Sequence, residues 1–210
     1  MRSCVIWLVV ATSLTGVAHA QTPASVSSRG YAEAVAQSAF GNVTSQSYGG
    51  ELGVTIISGL HVFVDAGQVS DTRASDLDAS ARLVANSVNG QFQARQPIRF
   101  GLAGVRYSLS SSGPVEPYLL GGAGIARVKK DVTFTVGGAD ITNNFQQFSG
   151  VLGTDLSGSE IKPMLTLGGG VAWPVWQHMV IDFQYRYGRV FASDQGIDVH
   201  RAGVGIGVRF

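Results

Sequence analysis

Polar and apolar residues alternate one by one along much of this sequence. In the stretch 179–191, Ile181 and Phe183 take one set of alternate positions while Asp182 and Arg186 lie on the other set. The same period of two, typical of a β-strand with unlike faces, recurs between breaks rich in Gly, Ser and Asp. This pattern predicts eight strands. Because the alternation is weak after residue 129, the fifth strand either ends there or continues to 136. The predicted strands are 30–40, 47–57, 60–69, 97–109, 115–129, 160–173, 179–191 and 199–210.

The connections between these segments alternate in length. The short ones are 58–59, 110–114 and 174–178, and the others are 41–46, 70–96, 130–159 and 192–198. If consecutive strands are antiparallel, all short connections fall at one end of the sheet and the others at the opposite end. An even strand number with short turns at one end and longer loops at the other is the plan of a transmembrane β-barrel.

The polar faces of the predicted strands are poorly suited to a water-exposed surface. In the last strand, Val204 and Ile206 belong to the apolar face, whereas the other face consists of alternate glycines and two arginines. Small residues and paired charges suit the inside of a narrow barrel. Aromatic rings near strand ends are expected outside, at the membrane interfaces. Those toward the short turns are Tyr107, Tyr118, Trp173 and Phe210, and Tyr187 lies toward the longer loops. We therefore predict an all-β fold, an eight-stranded antiparallel up-and-down transmembrane β-barrel, over a soluble barrel.

Composition supports this prediction and excludes other classes. Of the 210 residues only 14% are charged, and 28 are glycine, against roughly 25% charged residues in a typical soluble domain. The mean hydropathy of +0.18 and the lack of an 18-residue apolar run exclude membrane-spanning helices. The formal net charge of +1 gives no basic face for nucleic acid, so no nucleic-acid partner is expected.

The N-terminus has the pattern of a secretory signal peptide. Arg2 precedes the apolar stretch 4–11, and Ala18-His19-Ala20 matches an A-x-A cleavage site. A single membrane anchor is disfavoured because the apolar stretch is short. The expected organisation is a signal peptide at 1–20, a flexible leader at 21–29 and a barrel domain at 30–210.

Three stretches give the sequence a family resemblance. They are EPYLLGGAGIARV at 116–128, VIDFQYRYGRV at 180–190 and the final RAGVGIGVRF. With the signal peptide, they resemble the small outer-membrane β-barrel family that includes OmpA-type, Opa-type and OmpW-type porin-like proteins. The resemblance implies export to the outer membrane of a diderm bacterium, among outer-membrane lipids and lipopolysaccharide. It also implies insertion by the barrel-assembly machinery, with Phe210 as the aromatic assembly signal.

Charged residues on the predicted strands lie opposite apolar neighbours. An arginine that faced lipid near the midplane would cost about 2–4 kcal/mol, so we expect these side chains in the lumen. There they form either an ion-pair network that orders the interior or a gate whose pairs exchange. For Arg186 we expect an acidic partner, Glu51 or Asp182. Glu51 is the better one because Asp182 lies about 13 Å along the same strand. The predicted lumen charge network is Glu51, Asp65, Arg106, Asp182, Arg186, Arg201 and Arg209, with Glu33 and Arg127 as further candidates.

Candidate chemistry elsewhere is sparse. A Ser, His and acid group near one loop resembles a barrel lipase site but lacks a compact His-x-Ser pattern, and Asp76-Leu77-Asp78 lacks the further oxygen ligands of a calcium loop. The only cysteine, Cys4, lies in the signal peptide. The glycines of Gly203-x-Gly205-x-Gly207 open no helix and are expected to line the lumen. The lipase candidates are His200, Asp198, Asp194 and Ser193. We predict no enzyme activity, no metal and no cofactor.

The two long loops carry the remaining signals. In 70–96, apolar residues at helical spacing predict a short amphipathic helix on the barrel rim, capped by Ser75 and Asp78. The helix residues are Leu77, Ala81, Val84 and Val88, and the aromatic residues of 130–159 are Phe134, Phe145 and Phe148. The latter loop is either an extended hairpin or a recognition surface. We expect a structural or surface-interaction role, adhesin-like, in which the loops contact host or cell-surface ligands. The alternatives are a narrow channel for small or apolar solutes and an outer-leaflet lipid-modifying enzyme.

Overall fold

The computed structural model describes residues 29–142, 156–192 and 196–210. Its elements are β1 (Gly30–Phe40), β2 (Ser45–Ile57), β3 (Leu60–Val69), α1 (Ser75–Ser87), β4 (Gln91–Arg95), β5 (Ile98–Ser108), β6 (Glu116–Val136), β7 (Ala139–Asp140), β8 (Gly158–Pro174), β9 (Met179–Val190) and β10 (Ile197–Arg209). The predicted signal peptide, almost all of the leader, Phe145, Phe148, Ser193 and Asp194 lie outside the described residues.

Eight of the strands form a closed antiparallel barrel. Going around the wall, the order is β1, β2, β3, β5, β6, β8, β9 and β10, and β10 pairs with β1 to close it. The eight-stranded prediction is therefore confirmed, with β1 and β3 bounded as expected and the ends of the other strands within two residues, apart from the far end of β6. The open question of the fifth predicted strand is resolved, because β6 runs on to Val136. Among the described residues, no helix is long and apolar enough to cross a bilayer.

Alternation sorts the side chains into a lipid-type exterior and a filled interior. Leu52, Val64 and Leu167 point outward and are 58%, 54% and 63% exposed. Inside, three layers follow one another from the long-loop end to the short-turn end. The first is apolar and consists of Ala39, Val69, Ile98, Phe100, Leu102, Ala126, Val128, Met164, Val190, Ile197 and Val199. The second holds the buried charges, and the third consists of Phe63, Tyr118, Leu120, Ala172 and Val180.

The alternate glycines of β10 line the lumen, as expected, and make room for longer side chains from β1. A Cβ on Gly205 would overlap the carboxylate of Glu33, and one on Gly203 would crowd Gln37. On the other side of β1, a Cβ on Gly53 of β2 would overlap the ring of Tyr31, its direct partner. Small residues on one strand thus allow large polar ones on its neighbour, which is how a barrel this narrow accommodates buried charges.

The two long loops fold together into a small unit above the barrel, which we call the cap. The cap comprises α1, β4, the end of β6 beyond Lys130, and β7. Strand β4, which was not among the predicted strands, pairs with this extension of β6, with Arg95 opposite Asp131. The cap has its own core, made of Leu77, Ala81, Val84, Ala85, Ala94, Val132, Phe134 and Leu156.

The helix of the cap is present, but two details of its prediction are wrong. The N-cap position is Ala74, which makes no side-chain capping bond. Asp78 instead pairs with Arg73 and Arg82, at 3.5 and 3.1 Å. The apolar face of α1 packs on the sheet of β4 and β6, and not on the barrel rim, because the extended β6 offers it a second apolar surface.

Candidate functional site

Arg186 lies at the centre of the charged layer. Its guanidinium approaches Glu51 Oε2 at 2.6 Å and Asp65 Oδ2 at 2.8 Å, and its Nε donates to Gln184 Oε1. The side chain comes from β9, whereas its two acidic partners come from β2 and β3 across the lumen. Arg186 and Glu51 are each only 1% exposed, so the group is an internal, dehydrated ion cluster.

Arg106 forms a second centre nearer the short turns. Its Nη2 lies 3.0 Å from Asp182 Oδ2, and its Nη1 lies 3.6 Å from both Glu33 and Glu51. Its guanidinium carbon sits 3.5 Å from the ring centroid of Tyr118. Glu51 thus faces both arginines and joins the two centres into one network.

Hydroxyl and amide groups donate hydrogen bonds to further carboxylate oxygens of the network. Tyr118 donates to Asp182 Oδ1 at 3.0 Å, Tyr31 donates to Glu51 Oε1 at 2.5 Å, and Gln184 donates to Glu33 Oε1 at 2.8 Å. These hydrogen bonds offset part of the cost of burying charge and fix the geometry. The prediction that Tyr118 belongs to the outer aromatic ring is wrong. Residues 118–120 are all apolar or aromatic, so the alternation there was ambiguous.

Arg201 departs from this pattern. It is 2% exposed, stacks over the ring of Phe100 at 4.4 Å, and its Nε and Nη2 have no hydrogen-bond partner among the described residues. Gln37, which lies diagonally opposite on β1, also has a buried amide nitrogen without a partner there. Among the described residues of the lumen, Arg201 is therefore the cation with the fewest polar partners, and it lies at the edge of the network nearest the long loops.

The last predicted member, Arg209, lies apart from the buried cluster. It forms a two-pronged pair with Glu116, at 2.9 and 2.6 Å, and its side chain is 25% exposed. Both residues line a cavity of about 580 Å³ that opens at the short-turn end. Of the two further candidates, Glu33 joins the network. Arg127 is exposed on the outer wall, where it donates to Ser159 at 2.6 Å.

The predicted set is thus largely brought together, and the groups that were missed are neutral. Tyr31, Tyr118 and Gln184 complete the network, but polar residues without charge give no clear signal in an alternating strand. A signal did exist for two of them, since each follows the lumen-facing parity of its strand, with Tyr31 two residues from Glu33 and Gln184 two residues from Asp182.

The lipase candidates at the loop end have other partners. His200 Nδ1 lies 2.6 Å from the hydroxyl of Tyr185, and the His200 ring packs at 5.2 Å from that of Tyr187. Asp198 accepts a hydrogen bond from Tyr187 at 2.6 Å. Asp198 also pairs with Arg189 at 3.5 Å, so the described contacts of both residues reach side chains of β9. Ser193 and Asp194 lie outside the described residues.

Comparison with known proteins identifies the family. Residues 9–210 match the outer membrane protein beta-barrel domain. The chain belongs to this family, which places it among the barrel proteins of the outer membrane. A search of the curated proteins finds no significant match to the sequence.

Solved structures of outer-membrane barrels share the fold. Neisserial surface protein A matches with a TM-score of 0.55 at 17% identity, covering 86% of this chain and 96% of its own. A major outer membrane protein of Thermus thermophilus matches with 0.53 at 13% identity, covering 86% and 99%. The attachment invasion locus protein Ail of Yersinia pestis matches with 0.47 at 18% identity, covering 86% and 97%. At such identities the likeness concerns the fold alone.

Proposed function

We propose that this chain is a non-enzymatic outer-membrane barrel with a surface-interaction role carried by its cap. The observation behind the proposal is that the two longest loops pack on each other around one apolar core, with Leu77 and Val84 of α1 against Val132 and Phe134 of β6. Loops that served only to connect strands would need no shared core. A folded cap presents a fixed surface to a partner, which lowers the entropy lost on binding.

The filled lumen supports this role over that of a channel. The apolar layer at the long-loop end contains Phe100, Leu102 and Met164, each at most 6% exposed. Beneath it, Arg186 and Arg106 are held by carboxylates from several strands. A solute would have to displace both layers, and an eight-stranded barrel has room for little beyond its own side chains.

Export through the signal peptide at 1–20 and insertion by the barrel-assembly machinery belong to the same proposal. The cap then faces away from the cell, because the short turns of such barrels lie on the periplasmic side. Host or other cell-surface ligands would meet the cap first.

The test compares cells that display the parent, a cap-less variant and a control. In the cap-less variant, 70–96 and 131–157 are replaced by short turns. In the control, the turn 110–114 at the opposite end is altered. Adhesion to cultured epithelial cells and to a second bacterial cell is measured at matched surface levels. We expect the parent and the control to adhere and the cap-less cells to lose adhesion. Equal adhesion with and without the cap would overturn the proposal, as would a parent no better than empty cells.

Two further measurements address the alternatives. The purified parent in planar bilayers is expected to give no stepwise conductance, and a regular conducting state would favour the channel. Overproduction is expected to leave the mass of lipid A unchanged, and a loss of acyl chains would favour the enzyme.

A further inference from the structure

Two arginines face each other on the outer wall of the barrel near the long-loop end. Arg99 of β5 and Arg127 of β6 are direct antiparallel partners, and both are exposed. Side chains in such a pair have Cβ atoms about 4.5–5.5 Å apart, and like charges placed there destabilise the sheet. Lys129 adds a third cation on the same face of β6, and its ammonium group pairs with Asp131 at 3.1 Å, so the two arginines are the members of the cluster that no carboxylate of the described residues reaches. Among the described residues, no hydrogen bond or ion pair reaches Arg99, and no carboxylate reaches Arg127.

The height of this basic cluster (Arg99, Arg127 and Lys129) matches the headgroups of one leaflet. Tyr107 lies on the same face of β5 as Arg99, eight residues away and near the short turns. At about 3.3 Å per residue and a tilt near 40°, the two are separated by about 20 Å across the membrane. The apolar band of such barrels is about 25 Å tall. The cluster therefore lies at the outer edge of the band.

An apolar groove lies directly below the cluster in the lipid-facing wall. Gly101 and Ala103 follow Arg99 on the same face of β5, and they are flanked by Ala66 of β3 and Ala123 of β6. These small residues leave a recess of about 470 Å³ between larger neighbours that include Leu52, Val64 and Ile125. A Cβ built on Gly101 would meet no atom within 4 Å, so the recess has free space above this residue.

We propose that this wall of β2, β3, β5 and β6 binds one phosphorylated glycolipid of the outer leaflet. The basic cluster holds a phosphate group, and one acyl chain lies in the groove. A phosphate between Arg99 and Arg127 accepts hydrogen bonds from both guanidinium groups and removes their repulsion. The groove supplies the matching apolar surface at the depth where the acyl chains begin. This site is separate from the cap, so it stands or falls independently of the adhesion proposal.

The test is native mass spectrometry of the purified full chain in detergent with added lipids. The lipids are diphosphorylated lipid A, the same lipid A after dephosphorylation, and phosphatidylglycerol, and inorganic phosphate is added separately. The variants are Arg99→Gln/Arg127→Gln for the cluster and Ala103→Leu for the groove. The controls are Arg189→Gln, another exposed loop-end cation, and Ala36→Leu, an exposed small residue of β1. Heat-dependent mobility on gels checks that each variant is folded.

The parent is expected to retain one diphosphorylated lipid A and to bind the other three additives at least roughly ten-fold more weakly. The double arginine variant is expected to lose roughly ten-fold or more in occupancy. Ala103→Leu is expected to weaken binding while both controls retain it. Equal binding by the cluster variant, or an equal loss in Arg189→Gln, would overturn the proposal. Equal binding by Ala103→Leu would do the same, as would a parent dimer that Ala103→Leu disrupts, because the groove would then serve a second copy.

Discussion

Replacing Arg186 by Met tests whether the ion cluster stabilises the barrel. The substitution keeps an unbranched apolar stem, shortens the side chain and removes the guanidinium, whose charge contacts carboxylates at 2.6 and 2.8 Å. Glu51 would keep Arg106 at 3.6 Å and the hydroxyl of Tyr31. Asp65 would lose the one ion pair that the described contacts give it. The buried layer would then hold the same four carboxylates with two arginines in place of three.

The size of the effect follows from burial. Removing one member of a buried ion pair costs about 3–5 kcal/mol, because the other member stays charged and dehydrated. Arg209→Met is the matched control, since its pair with Glu116 is partly exposed. Partly exposed pairs contribute about 1 kcal/mol or less. A second variant, Arg186→Met with Asp65→Asn, removes the unpaired carboxylate and is expected to recover about 1 kcal/mol or more.

The assay is urea unfolding of the refolded barrel in lipid vesicles, followed by tryptophan fluorescence and extrapolated linearly to water. We expect the order of stability to be parent, Arg209→Met, the double variant and then Arg186→Met. If Arg186→Met and Arg209→Met lose the same free energy of unfolding, the buried cluster does not stabilise the barrel. A double variant less stable than Arg186→Met would refute the reasoning about the unpaired carboxylate.

Further outcomes are expected at three other places. Gly205→Val should lower the free energy of unfolding by about 1–3 kcal/mol, since the new methyl groups overlap a buried carboxylate, while Gly113→Val in an exposed turn should change it little in the same urea titration. Phe210→Ala should strongly reduce the yield of inserted protein in cells, although the purified barrel should lose at most about 3 kcal/mol of stability with the ring. Normal insertion would contradict an assembly role. Val84→Asp should open the cap to protease and leave the barrel resistant, whereas Leu83→Asp, at a 72% exposed position, should not; equal cleavage of both would show that the cap has no protective core.

The sequence by itself determined the strands and their faces. Successive residues of a barrel strand face lipid and the narrow lumen in turn, so apolar and polar or small residues alternate and the strands can be predicted without a structure. The bounds of β1 and β3 could be predicted for this reason, and so could the turn at Ser58 and Gly59, where Gly59 has a φ of 79°. The same alternation predicted that Glu51, Asp65 and Arg186 face the lumen.

Only the tertiary structure decided which of these charges meet. Arg186 lies 135 residues from Glu51 and 121 from Asp65, and the closure and stagger of the barrel bring them together. Tyr118 lies on the inner face of β6 with Leu120, where its hydroxyl donates to Asp182; the apolar run 118–120 does not by itself reveal which face is the inner one.

The tertiary structure also decided the formation of β4 and the surface on which α1 packs. The five residues Gln91–Arg95 form a strand only because β6 extends beyond the barrel to pair with them. The segment alternates polar and apolar residues, with Phe92 and Ala94 on one face, but five residues inside a long loop are too few to define a strand without a partner. That partner is about forty residues away in the chain, from Gln91 opposite Thr135 to Arg95 opposite Asp131. Local alternation reports the environment of each residue, whereas pairing between distant segments depends on how the whole chain closes.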